Sequence, residues 1–137
     1  MNGKEYQDLA MRTNDGGSTD RLMSKHNEIV YNMLLGSNGE ECKNYALGGI
    51  LNGCLGLAGE SGEFCDQIKK WIFHEKPLDV EHAQKEIGDI LWYIAMICHS
   101  FKWDMDSIME QNIEKLKARY PEGFDVVKSA HRAEGDV

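Results

Sequence analysis

A chain of 137 residues, 42% hydrophobic and 28% charged, fits a single soluble domain that buries about two thirds of its unfolded surface without disulfide support. Its formal net charge of −8 excludes a large nucleic-acid footprint, which needs clustered Lys and Arg. It does not exclude an anionic small substrate, because a bound metal inverts the local charge.

The elements follow in chain order. Residues 3 to 12 predict a short helix with Tyr6, Leu9 and Ala10 on one side. The run from Asn14 to Ser18 breaks it. Asp20 is expected to cap a second helix that reaches about Leu35, with Leu22, Met23, Ile29, Val30, Met33 and Leu34 as its apolar set; Gly36 to Gly39 ends it. A third helix is expected from near Glu41 to about His74. Its first half is rich in glycine and small residues, which permits close helix approach and favours a kink around Gly48–Gly59. Its second half carries Phe64, Ile68, Trp71 and Ile72 at helical spacing, beside a polar stripe of Glu60, Glu63, Gln67 and Lys70. Lys76–Pro77 marks a turn, and Asp79 is a good N-cap for a helix over about Val80 to Phe101. The middle of that helix is apolar nearly all round, so it is central or is covered by a partner subunit. A last helix starts near Asp104 or Asp106 and runs to about Arg119, where Pro121 and Gly123 stop it.

Only two prolines interrupt the chain, so the fold class expected is all-α: a helical bundle of four to five helices over one domain, 1–137. The cysteines Cys42, Cys54, Cys65 and Cys98 form no C-x-x-C pair, which argues against a zinc ribbon or redox motif. The longest apolar run, Ile90 to Cys98, is too short to cross a bilayer, and the N-terminus lacks an apolar signal core. A reduced, cytoplasmic protein with no membrane partner is expected.

Chemistry concentrates in two acidic pairs. Glu60 and Glu63 sit three apart, and Glu86 and Asp89 sit three apart further on. On a helix such residues share a face, and the gap between the pairs lets one helix end and the next return antiparallel. Four carboxylates aimed at one spot raise each other's proton affinity unless a cation neutralises them, and an all-oxygen set favours Mg²⁺ or Mn²⁺. Asp89 lies between Ile87 and the apolar run, where an unpaired buried charge is costly. The opposing possibility is two solvated faces whose carboxylates are three apart by chance. A di-iron carboxylate bundle needs E-x-x-H, and the residues three before the histidines are Met23, Trp71, Asp79, Met96 and Lys128. None is Glu, and Asp79–His82 falls at a helix start outside the quartet.

The segments GLAGESGEFCDQIKKW, EIGDILWYIA and NIEKLKARYPEGF, in that order over about residues 55 to 124, resemble the MazG-like branch of the all-α NTP pyrophosphohydrolase superfamily. The opening EYQDLAMRT is similar to N-termini of the same group, whereas Asn14 to Lys43 carries no family motif. The resemblance implies Mg²⁺-dependent cleavage of an NTP or dNTP to the monophosphate and pyrophosphate, with Mn²⁺ as a substitute ion. It implies that Glu60, Glu63, Glu86 and Asp89 hold the metal, and that a glutamate of the first pair takes the proton of the attacking water. It further implies that Asn112, Lys115 and Arg119, which form an i, i+3, i+7 row, approach the phosphates; the alternative is a set of surface groups near a helix C-terminus. Lys70 returns to the face of Glu63 two turns on and meets a phosphate or balances the acids, while Lys69 is expected to be solvated. Tyr93 lies one turn beyond Asp89, beside the nucleotide or in the core. Trp71, Trp92 and Trp103 are read as core or interface residues. A homodimer or dimer of dimers is implied by the same family and by the excess of apolar surface on the fourth helix. Related alternatives are a dUTP- or dCTP-preferring enzyme and a phosphoribosyl-ATP pyrophosphohydrolase. The alternative of another class is a non-catalytic helical metal-binding or interaction module.

Overall fold

The computed structural model describes residues 2–35, 45–124 and 126; the side chains of residues 32–35 lie outside that description. Among the described residues there are five α-helices and no strand, as expected for an all-α chain. They are α1 (Gly3–Met11), α2 (Ser18–Leu35), α3 (Leu47–Phe73), α4 (Val80–Phe101) and α5 (Met105–Arg119). The chain falls into two compact units, Met1–Gly48 and Gly49–Val137.

In the first unit, α1 begins with a capping box that the sequence reading missed. The Asn2 side chain accepts from the Glu5 backbone N–H, and the Glu5 carboxylate accepts from that of Asn2, both at 2.9 Å. Helix α2 starts at Ser18, so Asp20 sits inside its first turn rather than capping it. There its charge still favours the positive end of the helix dipole. Arg21 closes the preceding turn with a two-pronged ion pair to Asp15, at 2.7 and 3.0 Å. Both groups are exposed, so the pair adds little stability.

Helix α3, nearly all of it in the second unit, starts at Leu47, and Tyr45 and Ala46 before it are not helical, unlike the expected start near Glu41; residues 41–44 lie outside the described ones. It continues as one helix through its glycines. These glycines set the packing. A Cβ built at Gly53 would meet Ile97 Cγ1 at 2.6 Å, and one at Gly56 would meet the Tyr93 ring at 2.1 Å. Residue numbers rise along α3 as they fall along α4, so the two helices are antiparallel neighbours. Glu86, Tyr93 and Ile97 lie on one line of α4, facing α3.

Helix α4 matches its expected bounds, with the Asp79 carboxylate accepting from the His82 backbone N–H at 3.0 Å. It ends at Lys102, which adopts φ +59°, while the Lys102 and Trp103 N–H groups donate back to the Cys98 carbonyl. Asp104 then caps α5, its carboxylate accepting from Asp106 and Ser107. The residues that are most enclosed in this unit are Gly53, Ala83, Glu86, Cys98 and Ser100, so its interior lies along the α3–α4 seam. Large apolar side chains remain exposed on its helices, among them Leu51, Leu55, Phe73, Ile87, Leu91 and Trp92.

A contrast between two glycine replacements tests the seam. In Gly88→Ala the new methyl meets nothing within 4 Å, so helix propensity alone should raise the melting temperature, by up to about 1 kcal/mol of stability. In Gly56→Ala the methyl runs into the Tyr93 ring and the melting temperature should fall. Thermal melts by circular dichroism separate the two. An equal gain in both variants would contradict the close approach.

Candidate metal centre

Glu60 and Glu63 project from the middle of α3, and Glu86 from α4 opposite. Each offers a carboxylate oxygen, and the three oxygens lie within 4.8 Å of one another. Glu86 is buried, at 4% exposure, Glu60 is half-buried and Glu63 is exposed. The burial expected for Asp89 thus falls on Glu86. The reason is helical phase: Glu86 shares the inward line of Tyr93 and Ile97, and Asp89 is turned about 60° off it, into solvent. Asp89 is not among the three converging acids, although its charge acts on Glu60.

The proton affinity of Glu60 reports the crowding. Burial raises its pKa above the ordinary carboxylate value, and the Glu63 charge, the hydrogen bond with Glu86 and the charges of Asp89 and Glu86 all push the same way. A donor set of three oxygens with no nitrogen or sulfur, drawn together against its own repulsion, suits a hard divalent cation.

A cavity of about 310 Å³ opens beside the acids, lined by Gly59, Gly62, Glu63, Asp66, Gln67, Lys70, His82 and Glu86. Lys70 stands in its wall, held by Asp66. Asp66 also pairs with Lys69 at 2.8 Å, and hydrogen bonds from Lys69 and Lys70 lower its pKa to about 2. Lys69 is therefore ion-paired as well as exposed. The buried Glu86 carboxylate receives Gln67 Nε2 at 3.2 Å and His82 Nε2 at 3.0 Å, both on Oε1.

Other expected site residues lie elsewhere. Tyr93 is packed over Gly56 and edge-on to Trp92, with ring centroids 4.9 Å apart. Asn112 and Lys115 are exposed on α5, and neither lines the cavity. Arg119 is half-buried, with its guanidinium 5.9 Å from the centre of the Tyr120 ring. Three cavity residues were missed as site members: Asp66, Gln67 and His82. The signal was present in the four-residue steps from 63 to 67 and from 82 to 86, and in Asp66 preceding two lysines.

Residues 51–124 match the MazG nucleotide pyrophosphohydrolase domain family, and all four acids fall inside that segment. The chain is 30% identical over 74 residues to the Gene 37 protein of Mycobacterium phage L5, an alignment spanning 50% of this chain and 64% of the phage protein. No solved structure gives a significant match. No helix among the described residues is long and apolar enough to cross a membrane.

The linkage between Glu60 and stability has a definite sign. A carboxyl whose folded pKa is raised costs stability once it ionises, and the cost is relieved as the pH falls through that pKa. Without metal, Glu60→Gln should therefore melt a few degrees above wild type near neutral pH. The gain should shrink as the pH enters the carboxylate range. Melts of both proteins across pH check this; a variant that melts lower at neutral pH would contradict the crowding.

Proposed function

Because the chain belongs to the MazG nucleotide pyrophosphohydrolase family, we propose that it cleaves a nucleoside triphosphate, NTP or dNTP, to the monophosphate and pyrophosphate. The observation that carries the reading is the convergence of Glu60, Glu63 and Glu86 within 4.8 Å inside the family segment. Mg²⁺, with Mn²⁺ as a substitute, is the proposed ion; when bound it supplies charge neutralisation and acidifies a water. Glu60, Glu63 and Glu86 hold it, and Asp89 joins them from the exposed edge of α4. A glutamate of the first pair accepts the proton of the attacking water. Lys70 stands at the cavity wall to meet a phosphate, exchanging its tie to Asp66 for the more highly charged ligand. Asn112, Lys115 and Arg119 are assigned to the phosphates, and Tyr93 to the side of the nucleotide. Transfer of this kind needs positioning and charge compensation more than covalent help, and these residues provide both.

The active species is proposed to be a homodimer or a dimer of dimers in the cytoplasm, with the whole chain, 1–137, acting as one domain and no nucleic-acid partner. Support for self-association comes from apolar side chains left in solvent on α3 and α4, with Leu55 at 74% and Leu91 at 55% exposure. Light scattering should then give two or four times the 15.5 kDa chain mass; a monomer would overturn this part.

Activity is tested by pyrophosphate release from a panel of NTPs and dNTPs, with dUTP, dCTP and phosphoribosyl-ATP included, with and without Mg²⁺. Release should require the ion. Glu63→Ala and Asp89→Ala should each cost about 100-fold or more while retaining helical circular dichroism. A wild-type protein that binds the ion and hydrolyses nothing would instead favour the non-catalytic metal-binding module.

A further inference from the structure

Glu86 is the most enclosed of the converging acids, and its terminal torsion is intrinsically soft. The last χ angle of a glutamate is broad and roughly two-fold, so burial alone does not decide which oxygen faces a ligand. Here a hydrogen-bond donor from α3 and an imidazole nitrogen from α4 fall on the same oxygen. Gln67 Nε2 from α3 lies 3.2 Å from Oε1, and His82 Nε2 from α4 lies 3.0 Å from it. The Gln67 contact ties the carboxylate across the helix seam, and the His82 contact ties it along its own helix, one turn back. The backbone N–H of His82 donates to Asp79 at the cap of α4. The cap that begins the helix therefore also sets the backbone position from which the imidazole reaches the acid.

We propose that His82 and Gln67 are positioning residues that hold Glu86 by Oε1 and so present Oε2 to the cation shared with Glu60 and Glu63. This inference rests on the metal-centre reading above and adds two residues to it. Neither group is proposed to touch substrate or cation. Oriented carboxylates bind metal better than free ones because the ordering cost is met before the ion arrives, and loss of such an orienting contact typically weakens metal binding about 10–100-fold.

The test uses Mn²⁺ alone as the probe, titrated by calorimetry into the full chain at one fixed pH. His82→Ala and the near-isosteric Gln67→Met, which keeps the shape and removes the donor, should each weaken Mn²⁺ binding about tenfold. His82→Gln, which restores an N–H donor at that point, should recover most of the loss. His99→Ala, an exposed imidazole at the far end of α4, should leave affinity unchanged. Pyrophosphate release by His82→Ala should return towards the wild-type rate at saturating Mn²⁺. If His82→Ala does not fold, Gln67→Met decides alone. Wild-type Mn²⁺ binding with full affinity retained in both Gln67→Met and His82→Ala overturns the inference and leaves the metal centre standing. Absence of Mn²⁺ binding by the wild type overturns the metal centre, and the inference with it.

Discussion

The close approach of α3 and α4 is the constraint on which the second unit depends. Gly53 and Gly56 remove the side chains that would keep the helices apart, and Ile97 and Tyr93 occupy the space. Only at that separation can a carboxylate on α4 be buried while remaining within reach of two on α3. The arrangement is costly, because three acids near one point repel and one of them is desolvated. Two responses to that cost are visible. Glu60 binds its proton more tightly, and Gln67 and His82 converge on Glu86. A divalent cation, as proposed above, would offset that repulsion.

The rest of the unit is arranged around this seam. Asp79 and Lys102 give α4 a defined start and end, and the helical repeat between them sets the phase of Glu86 relative to Tyr93 and Ile97. A short interior leaves large apolar side chains of the unit exposed. The first unit lies outside the matched family segment, and its exposed ion pairs at Asp15–Arg21 and Lys25–Glu28 are of the kind that contribute little.

Much of this was legible in the sequence, for physical reasons that differ by element. Helix α4 could be bounded because Asp79 follows a proline turn and because a long apolar stretch admits no other element. The acidic pairs could be placed on facing helices because three-residue spacing and an intervening turn allow little else. The expected helix from near Glu41 does not hold at Tyr45 and Ala46, which are not helical although neither is a breaker, since propensity alone does not settle where a helix begins; residues 41–44 lie outside the described ones. Burial was assigned to Asp89 because flanking residues were apolar, but burial on a helix follows phase and not neighbours in sequence. His82 was set aside for failing a di-iron motif, when its useful relation was the four-residue step to Glu86. Side-chain donors such as Gln67 are hard to foresee because their partners lie on another helix, and only packing brings them together.

Crystals soaked in Mn²⁺ and measured for anomalous scattering address the central claim most directly. The expected result is a peak bounded by the carboxylates of Glu60, Glu63 and Glu86, at the mouth of the cavity between α3 and α4. A well-ordered site with those three acids in place and no peak among them, or a peak held by other residues, would contradict it.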